Sequence, residues 1–406
     1  MNPLFSIIVP TLGRLELWKF ALNSVLRQHF GDFEIIAVNS KPSAESRALI
    51  KTLSDSRLKY FEREPQGPPI NWDFGYRQSS GKYILWLDDD NYLLPHALSK
   101  LAEIIKSRSP DIATGDHFHW RDSLHPNKNY RNQLIIRLPL FTNEVGPVDP
   151  KNFIRNQFGM PSQGSHSRAL FHFSETAFAR PLMEKVLSKI QAIDFRTTSP
   201  RMVHFGLLAM ANSIWYVSSP IAIIIQMGGS MAYGWAKKES RNNRFGVNFE
   251  YSPVSANIYI NYVAENLLRA KEVFRQELAP YEMNWNIFFK TYERELMLLE
   301  QTWGEMASSW KEFYNSAKRY LTIAPRRIFL ETLKYVLLAA GIKISRALHI
   351  YSYILILKRK TEYSPQNRRI IKLDKYNVHN IQECAELLPQ IIKDEWKNGP
   401  DGDLNW

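Results

Sequence analysis

Between Leu4 and Ile105 short apolar runs of β-forming residues alternate with stretches of helical periodicity, and this alternation constrains the fold more than any other feature. Leu4–Val9, Phe33–Val38, Leu58–Phe61 and Tyr83–Leu87 read as buried strands. Between them, Leu15, Trp18, Leu22, Val25 and Leu26 recur at helical spacing. Ser46–Leu53 and residues 70–80 also suit helices, the latter ended by Gly81, and Leu98, Leu101, Ile104 and Ile105 mark one more after Pro95. Strand–helix units of this size imply βαβ crossovers and a mostly parallel sheet, an α/β fold with helices on its faces. Ligands of such sheets bind at the carboxyl ends of the strands. Pro10-Thr11, Asn39-Ser40 and Asp88-Asp89-Asp90 all follow strand ends, so they are expected to gather at one rim.

The fourth run ends in three adjacent carboxylates, Asp88, Asp89 and Asp90. Like charges side by side repel, and their desolvation is costly unless a cation or hydrogen-bond donors compensate. Side chains alternate along a strand, so Asp88 and Asp90 could converge on one object while Asp89 points elsewhere. Hard oxygen donors suit Mg²⁺ or Mn²⁺ carried with substrate phosphates. A solvated acidic turn is the bland alternative. The net charge of +12 and a pI near 9.5 call for an anionic partner. The single cysteine, Cys384, excludes an internal disulfide framework and fits a reducing compartment. Residues 1–10 lack the pattern of a signal peptide, and no window of 18 residues is apolar enough to span a bilayer. A cytoplasmic protein, or one peripheral on the cytosolic face of a membrane, is expected.

Four blocks resemble the N-terminal half of a family 2 glycosyltransferase of the GT-A fold, as in polysaccharide and O-antigen biosynthesis. They are Phe5-Ser6-Ile7-Ile8-Val9-Pro10-Thr11; Ser24–Gln28 followed by Phe33–Ile36; Asp73-Phe74-Gly75 ahead of Gly81–Ile84; and Leu87–Asp90 with Pro95. The resemblance implies that Asp88 and Asp90 are the outer positions of a DxD motif holding Mn²⁺ or Mg²⁺ against a nucleotide-sugar diphosphate; Asp89 with Asp90 is the other ligand pairing. It also implies that Pro10, Thr11, Arg14, Asn39, Asp73, Asp88 and Asp89 line the nucleotide-sugar site. Arg63, like Arg14, could contact phosphates or base, with a solvated surface arginine the equal alternative for each. Two departures stand out. The family's Val-Asp-Asp-Gly-Ser pattern is here Val38-Asn39-Ser40-Lys41-Pro42, and its Asn-x-Gly is Asp73-Phe74-Gly75. Asn39 still offers a donor and an acceptor, but the loss of both carboxylates leaves the nucleotide open, uridine included.

Further on, Asp111–Asp116 reads as a short strand, and His117, His119 and His125 as polar loop histidines, since their spacing matches no metal pattern. Ala177–Ile190 reads as a helix, followed by a helix through Phe205–Met210 and a strand over Ile214–Val217. By the resemblance, Asp194 is the base that takes the acceptor hydroxyl's proton, with Glu175 and Asp149 as weaker alternatives. Gly228-Gly229-Ser230 with Tyr233 and Trp235 reads as a loop over the site.

Beyond residue 250 helical spacing takes over. Residues 326–360 carry eight Lys and Arg against one acid, Glu331, among apolar residues. That composition suits a helix on an anionic bilayer surface, or equally one packed on the catalytic domain with a basic outer face. The expected division is a GT-A domain over 1–240 (1–110 nucleotide-sugar half, 111–240 acceptor half), a helical region over 250–393 and a loose tail over 394–406. The leading expectation is an inverting, metal-dependent glycosyltransferase moving a sugar to a glycan or lipid-linked acceptor. Nucleic acid is not an expected partner. Two rivals remain. A nucleotidyltransferase would want a richer Gly/Lys loop than Pro10–Arg14, and a catalytically inactive GT-A interaction protein would fit the basic charge and the lost aspartate pair.

Overall fold

The structure is a computed structural model, and it describes residues 2–65, 68–123, 131–137, 144–159, 173–190, 200–226, 250–254, 259–296, 311–313, 315–317, 319–320 and 368–395. The N-terminal half alternates as expected: β1 (Phe5–Thr11), α1 (Leu15–Leu26), β2 (Phe33–Asn39), α2 (Ala44–Leu53), β3 (Leu58–Glu62), α3 (Pro68–Arg77), β4 (Tyr83–Trp86), β5 (Tyr92–Leu93) and α4 (Ala97–Arg108). β1 to β4 are parallel and ordered β3-β2-β1-β4, while β5 pairs antiparallel with a later strand. β1, β2 and β4 are buried on both faces, which is why they read as unbroken apolar runs, while the edge strand β3 is only partly buried. Phe5, Ile7 and Val9 pack with α1 and α4, while Ile8, Ile36 and Ile84 join the core on the other face. This is the α/β fold expected, a central sheet flanked by helices.

The second half continues with β6 (Ile112–Arg121), β7 (Gln133–Arg137), β8 (Val145–Val148), α5 (Pro150–Gln157), β9 (Ala177–Ala179), α6 (Arg180–Ile190), α7 (Pro200–Met210) and β10 (Ile214–Gln226). Ala177–Ala179 was expected to open a helix but is a strand. It fills the gap between β4 and β6, pairing antiparallel with both, and those backbone bonds override local helical spacing. β10 is longer than expected, running parallel to β6 through Pro220 with register shifts on either side of that proline. His117 and His119 lie in β6 rather than in a loop, their rings 4.8 Å apart.

Helices α8 (Tyr259–Val273), α9 (Arg275–Leu278) and α10 (Trp285–Leu296) follow. Helices alone were expected after residue 250, yet Arg368–Lys372 forms β11, antiparallel to β7 at the sheet edge. Helix α11 (Ile381–Glu395) then packs Ile381, Leu388, Ile391 and Ile392 against Phe118, Trp120, Ile223 and Ile225 of the sheet. Asp394 and Glu395, expected in a loose tail, are the last residues of this helix. Cys384 is buried within it, and burial pushes its thiol up to about 12, an inert core residue. Residues 326–360 lie outside the described residues.

One buried carboxylate ties the parallel strands together. Glu34 of β2 accepts from Ser6 Oγ of β1 (2.6 Å), from Lys59 Nζ of β3 (2.6 Å) and from Ser80 N and Oγ ahead of β4 (2.6 and 2.9 Å). Gly81 N donates to the same Ser6 Oγ at 2.6 Å, and a Cβ at Gly81 would lie 2.5 Å from Ser6 N, so only glycine fits there. Burial opposes ionisation of Glu34, but the bonds from Lys59, Ser6 and Ser80 outweigh it and hold the carboxyl down to about 2. A folded pKa below the ordinary value gives stability that is fully present above about pH 4.5 and is lost as pH falls toward 2. The contribution is up to about 3 kcal/mol, reduced by screening at the half-exposed Lys59. Acid denaturation of wild type and Glu34→Gln should therefore converge only as pH falls to about 2 and be fully separated above about pH 4.5.

Candidate functional site

The chain runs β1-β2-β3 outward and then crosses back to place β4 on the far side of β1. The crevice between the carboxyl ends of β1 and β4 is thus a topological switch point, where open α/β sheets bind ligands. Thr11 ends β1 on one side of it and Asp88-Asp89-Asp90 follow β4 on the other. The register pairs Thr11 with Asn39, and Arg63 N donates to Asn39 O at 2.9 Å, so the expected strand ends do share one rim.

The acidic triplet does not continue the strand. β4 stops at Trp86, and Asn91 N donates to Asp88 O at 3.0 Å, closing a turn over the three aspartates. Alternation along a strand therefore cannot sort their side chains; the turn and its neighbours do. Asp89 is 5% exposed and points inward, accepting from Thr11 Oγ1 at 2.6 Å and from two nitrogens of Arg14. Asp88 and Asp90 stay partly exposed, Asp88 accepting from Ser174 Oγ at 2.7 Å and Asp90 from Arg14 Nη1 at 2.8 Å. Asp88 and Asp90 are thus the partly exposed pair and Asp89 the buried one, an arrangement set by the turn and not by strand alternation.

Arg14 sits just before α1 with its side chain 39% exposed, and its guanidinium spans Asp89 and Asp90. Burial works against its charge, but the Asp90 and Asp89 carboxylates outweigh it and raise its pKa above the ordinary arginine value. Burial pushes the Asp89 carboxyl up, opposed by Arg14. Arg14 thus serves as an internal cation for the triplet, a use that sequence alone did not indicate.

At the other end of the rim Thr11 O accepts from Ser40 N at 3.1 Å, and Ser40 Oγ accepts from Asn71 Nδ2 of α3 at 2.8 Å. A Cβ at Gly75 would meet Ile8 Cγ2 at 2.4 Å, so glycine there lets α3 lie close against β1. The buried polar atoms without a hydrogen-bond partner among the described residues include Asn39 Nδ2, Asn71 Oδ1 and Asp73 Oδ1. Asn39 Oδ1 is taken by Lys41 N at 2.9 Å, and Asp73 Oδ2 by Arg77 Nε at 2.8 Å. Leaving such groups unpaired costs about 1–3 kcal/mol each, which polar groups of a ligand would recover. Arg63 lies with its guanidinium 4.3 Å from the centre of the Phe74 ring. Pro10 is buried within β1 beside Val38. Asn71 escaped the sequence reading, although it lies two residues before Asp73; Ser40 was read as part of a strand end but given no role of its own.

Of the three base candidates, Asp194 lies outside the described residues, as do Gly228–Ser230, Tyr233, Trp235 and His125. Asp149 caps α5, its Oδ1 accepting from Lys151 N at 2.9 Å. Glu175 lies buried behind the triplet, where Asn91 Nδ2 donates to its Oε1 at 2.7 Å.

Among the described residues no group of three or more His, Cys, Asp or Glu side chains is placed to hold a metal ion by itself. Asp88 and Asp90 nonetheless offer hard carboxylate oxygens at a ligand-binding crevice, a partial set of the kind Mg²⁺ or Mn²⁺ completes with water and phosphate oxygens. The donor chemistry fits such a cation.

Residues 6–175 match the family model for Glycosyl transferase family 2. The GalNAc(5)-diNAcBac-PP-undecaprenol beta-1,3-glucosyltransferase of Campylobacter jejuni is 39% identical over 105 residues, covering 25% of this chain and 34% of that protein. Glycosyltransferase GlyA of Streptococcus pneumoniae is 27% identical over 120 residues, covering 29% of this chain and 17% of that protein. The chain therefore spans about a third or less of the length of these relatives. S. aureus TarS 1-349 in complex with UDP superposes over 81% of this chain and 82% of its own, at 14% identity and a TM-score of 0.48. Over residues 6–175, the chain is similar to glycosyl transferase family 2.

Proposed function

We propose that this protein is an inverting, metal-dependent glycosyltransferase that moves a sugar from a nucleotide-sugar to a hydroxyl of a glycan or lipid-linked acceptor. The observation that carries the reading is the rim at the β1/β4 switch point. It joins two outward carboxylates, Asp88 and Asp90, through Asp89, Thr11 and Ser40 to the unpaired polar atoms of Asn39 and Asn71. One end suits a diphosphate with its cation, the other a base and ribose. Asp88 and Asp90 would hold Mn²⁺ or Mg²⁺, which offsets the charge that develops on a departing nucleoside diphosphate. Thr11 and Arg14 fix Asp89 and so the shape of the turn. Asn39, Asn71 and Asp73 would read the nucleotide.

Asp194 would take the acceptor hydroxyl's proton as that oxygen bonds to the anomeric carbon and the nucleoside diphosphate leaves. The Campylobacter relative, by its name, acts on an undecaprenol-linked glycan, which supports a lipid-linked acceptor here. A basic chain with residues 326–360 on an anionic membrane surface would bring enzyme and such an acceptor together. No helix among the described residues is long and apolar enough to cross a membrane. In this reading 1–240 carries catalysis, on the cytosolic face, and 250–393 supports it.

A panel of nucleotide-sugars incubated with Mn²⁺ and lipid-linked glycan acceptors tests the proposal. Wild type should transfer one sugar, whereas Asp194→Asn should bind the same donor with unchanged affinity and lose about 10²–10⁴-fold in kcat, the span of general-base catalysis. Retained turnover in Asp194→Asn would remove the base assignment. Absence of hydrolysis or transfer with every donor would favour the inactive interaction protein.

A further inference from the structure

We infer that Glu175, together with Ser174 and Asn91, is the positioning element that holds the Asp88–Asp90 turn in its cation-binding shape; this rests on the donor-site reading above. The turn is gripped from behind at three points. Glu175 N donates to Trp86 O at 2.8 Å, just before the acidic residues. Ser174 Oγ donates to Asp88 Oδ2 at 2.7 Å, fixing one oxygen of the first carboxylate. Asn91 Nδ2 donates to Glu175 Oε1 at 2.7 Å, just after the third aspartate, and Asn91 Oδ1 accepts from Ile225 N of β10 at 3.3 Å. Ser174, Glu175 and Asn91 are all buried, so these bonds are shielded from water.

The backbone adds an independent mark. Glu175 has φ +69°, the left-handed region that glycine or asparagine occupies at lower cost. Glycine would relieve that strain but could not reach Asn91. A glutamate kept in this conformation implies that its carboxylate is needed, and backbone strain of this kind concentrates beside functional sites. The geometry also separates Glu175 from the base role. Its carboxylate is buried and one oxygen is committed to Asn91, so it orders the ligand-bearing turn without exchanging protons with an acceptor. Groups that orient metal ligands in this way typically change metal affinity about 10–100-fold when removed.

The test is Mn²⁺ binding followed by electron paramagnetic resonance, with and without inorganic pyrophosphate, on full-length wild type, Glu175→Gln, Glu175→Ala, Glu175→Gly and Ser174→Ala. Glu175→Gln keeps an acceptor for Asn91 and should hold Mn²⁺ within about threefold of wild type, retaining transfer. Glu175→Ala should weaken Mn²⁺ binding about tenfold or more and raise the donor KM more than it lowers kcat. Glu175→Gly, free of the backbone strain, gives the same reading if the alanine variant folds poorly, and Ser174→Ala should show the smaller loss of the single Asp88 bond. Unchanged Mn²⁺ affinity in the folded Ala, Gly and Ser174→Ala variants would overturn the inference. So would a Glu175→Gln protein that binds Mn²⁺ normally but has lost transfer, which would make Glu175 the base. If wild type binds no Mn²⁺ even with pyrophosphate, the donor-site reading itself fails and this inference with it.

Discussion

Replacing Asp88 and Asp90 together by asparagine should weaken nucleoside diphosphate binding in Mn²⁺ at least about a hundredfold while leaving the fold intact. Both side chains are partly exposed and follow β4 at the β1/β4 switch point. An amide oxygen is a neutral and weaker ligand for a hard cation, so the double substitution removes the charge that draws the metal. Folding should change little, because the substitution relieves repulsion between neighbours while Asp89 keeps Thr11 and Arg14. Isothermal titration calorimetry in Mn²⁺ and in EDTA, with melting temperatures alongside, checks both halves. A variant that binds in Mn²⁺ as wild type does would remove the triplet from the donor site.

A chain ended at residue 367 should fail to fold stably. Residues 368–395, β11, α11 and the connection between them, supply Ile371, Leu373, Val378, Ile381, Leu388, Ile391 and Ile392 to the core over Phe118, Trp120, Leu134 and Ile136. Each such side chain contributes about 1.5–3 kcal/mol on burial. The net stability of a folded domain is only about 5–15 kcal/mol. Truncation also uncovers the edge of β7, an invitation to aggregate. Size-exclusion chromatography and urea unfolding of the truncated chain should show aggregation or an early, broad transition. A soluble truncated protein with wild-type unfolding would mean that residues 368–395 are an appendage.

The contrast between these two regions shows what could be read from residues alone. β1, β2 and β4 were legible because strands buried on both faces leave continuous apolar runs, and the crossover rule then places their carboxyl ends together. β11 was not: Arg368, Arg369 and Lys372 surround two isoleucines, and only the free edge of β7, more than 200 residues earlier, makes that segment a strand. Ala177–Ala179 was misread for the same reason, its strand state being imposed by β4 and β6.

At the site, the acidic triplet announced itself by composition, but its wiring did not. Arg14 was named for the donor site, but that its guanidinium is bound to Asp89 and Asp90 could not be read, since these contacts span 75 and 76 positions that no local pattern records. Ser174 and Glu175 carry no periodicity, and nothing nearby in sequence marks a glutamate for left-handed backbone. Asn39 was legible as a polar residue at a strand end; its unpaired, buried nitrogen could only come from packing.

The central claim is a donor site that needs its cation, and the most direct measurement is the melting temperature of wild type with nucleoside diphosphates, in Mn²⁺ and in EDTA. At a hundred times its Kd, one of them should stabilise the protein by about 2.7 kcal/mol in Mn²⁺ and by far less in EDTA. No shift with any nucleoside diphosphate in Mn²⁺, or equal shifts with and without the metal, would contradict it.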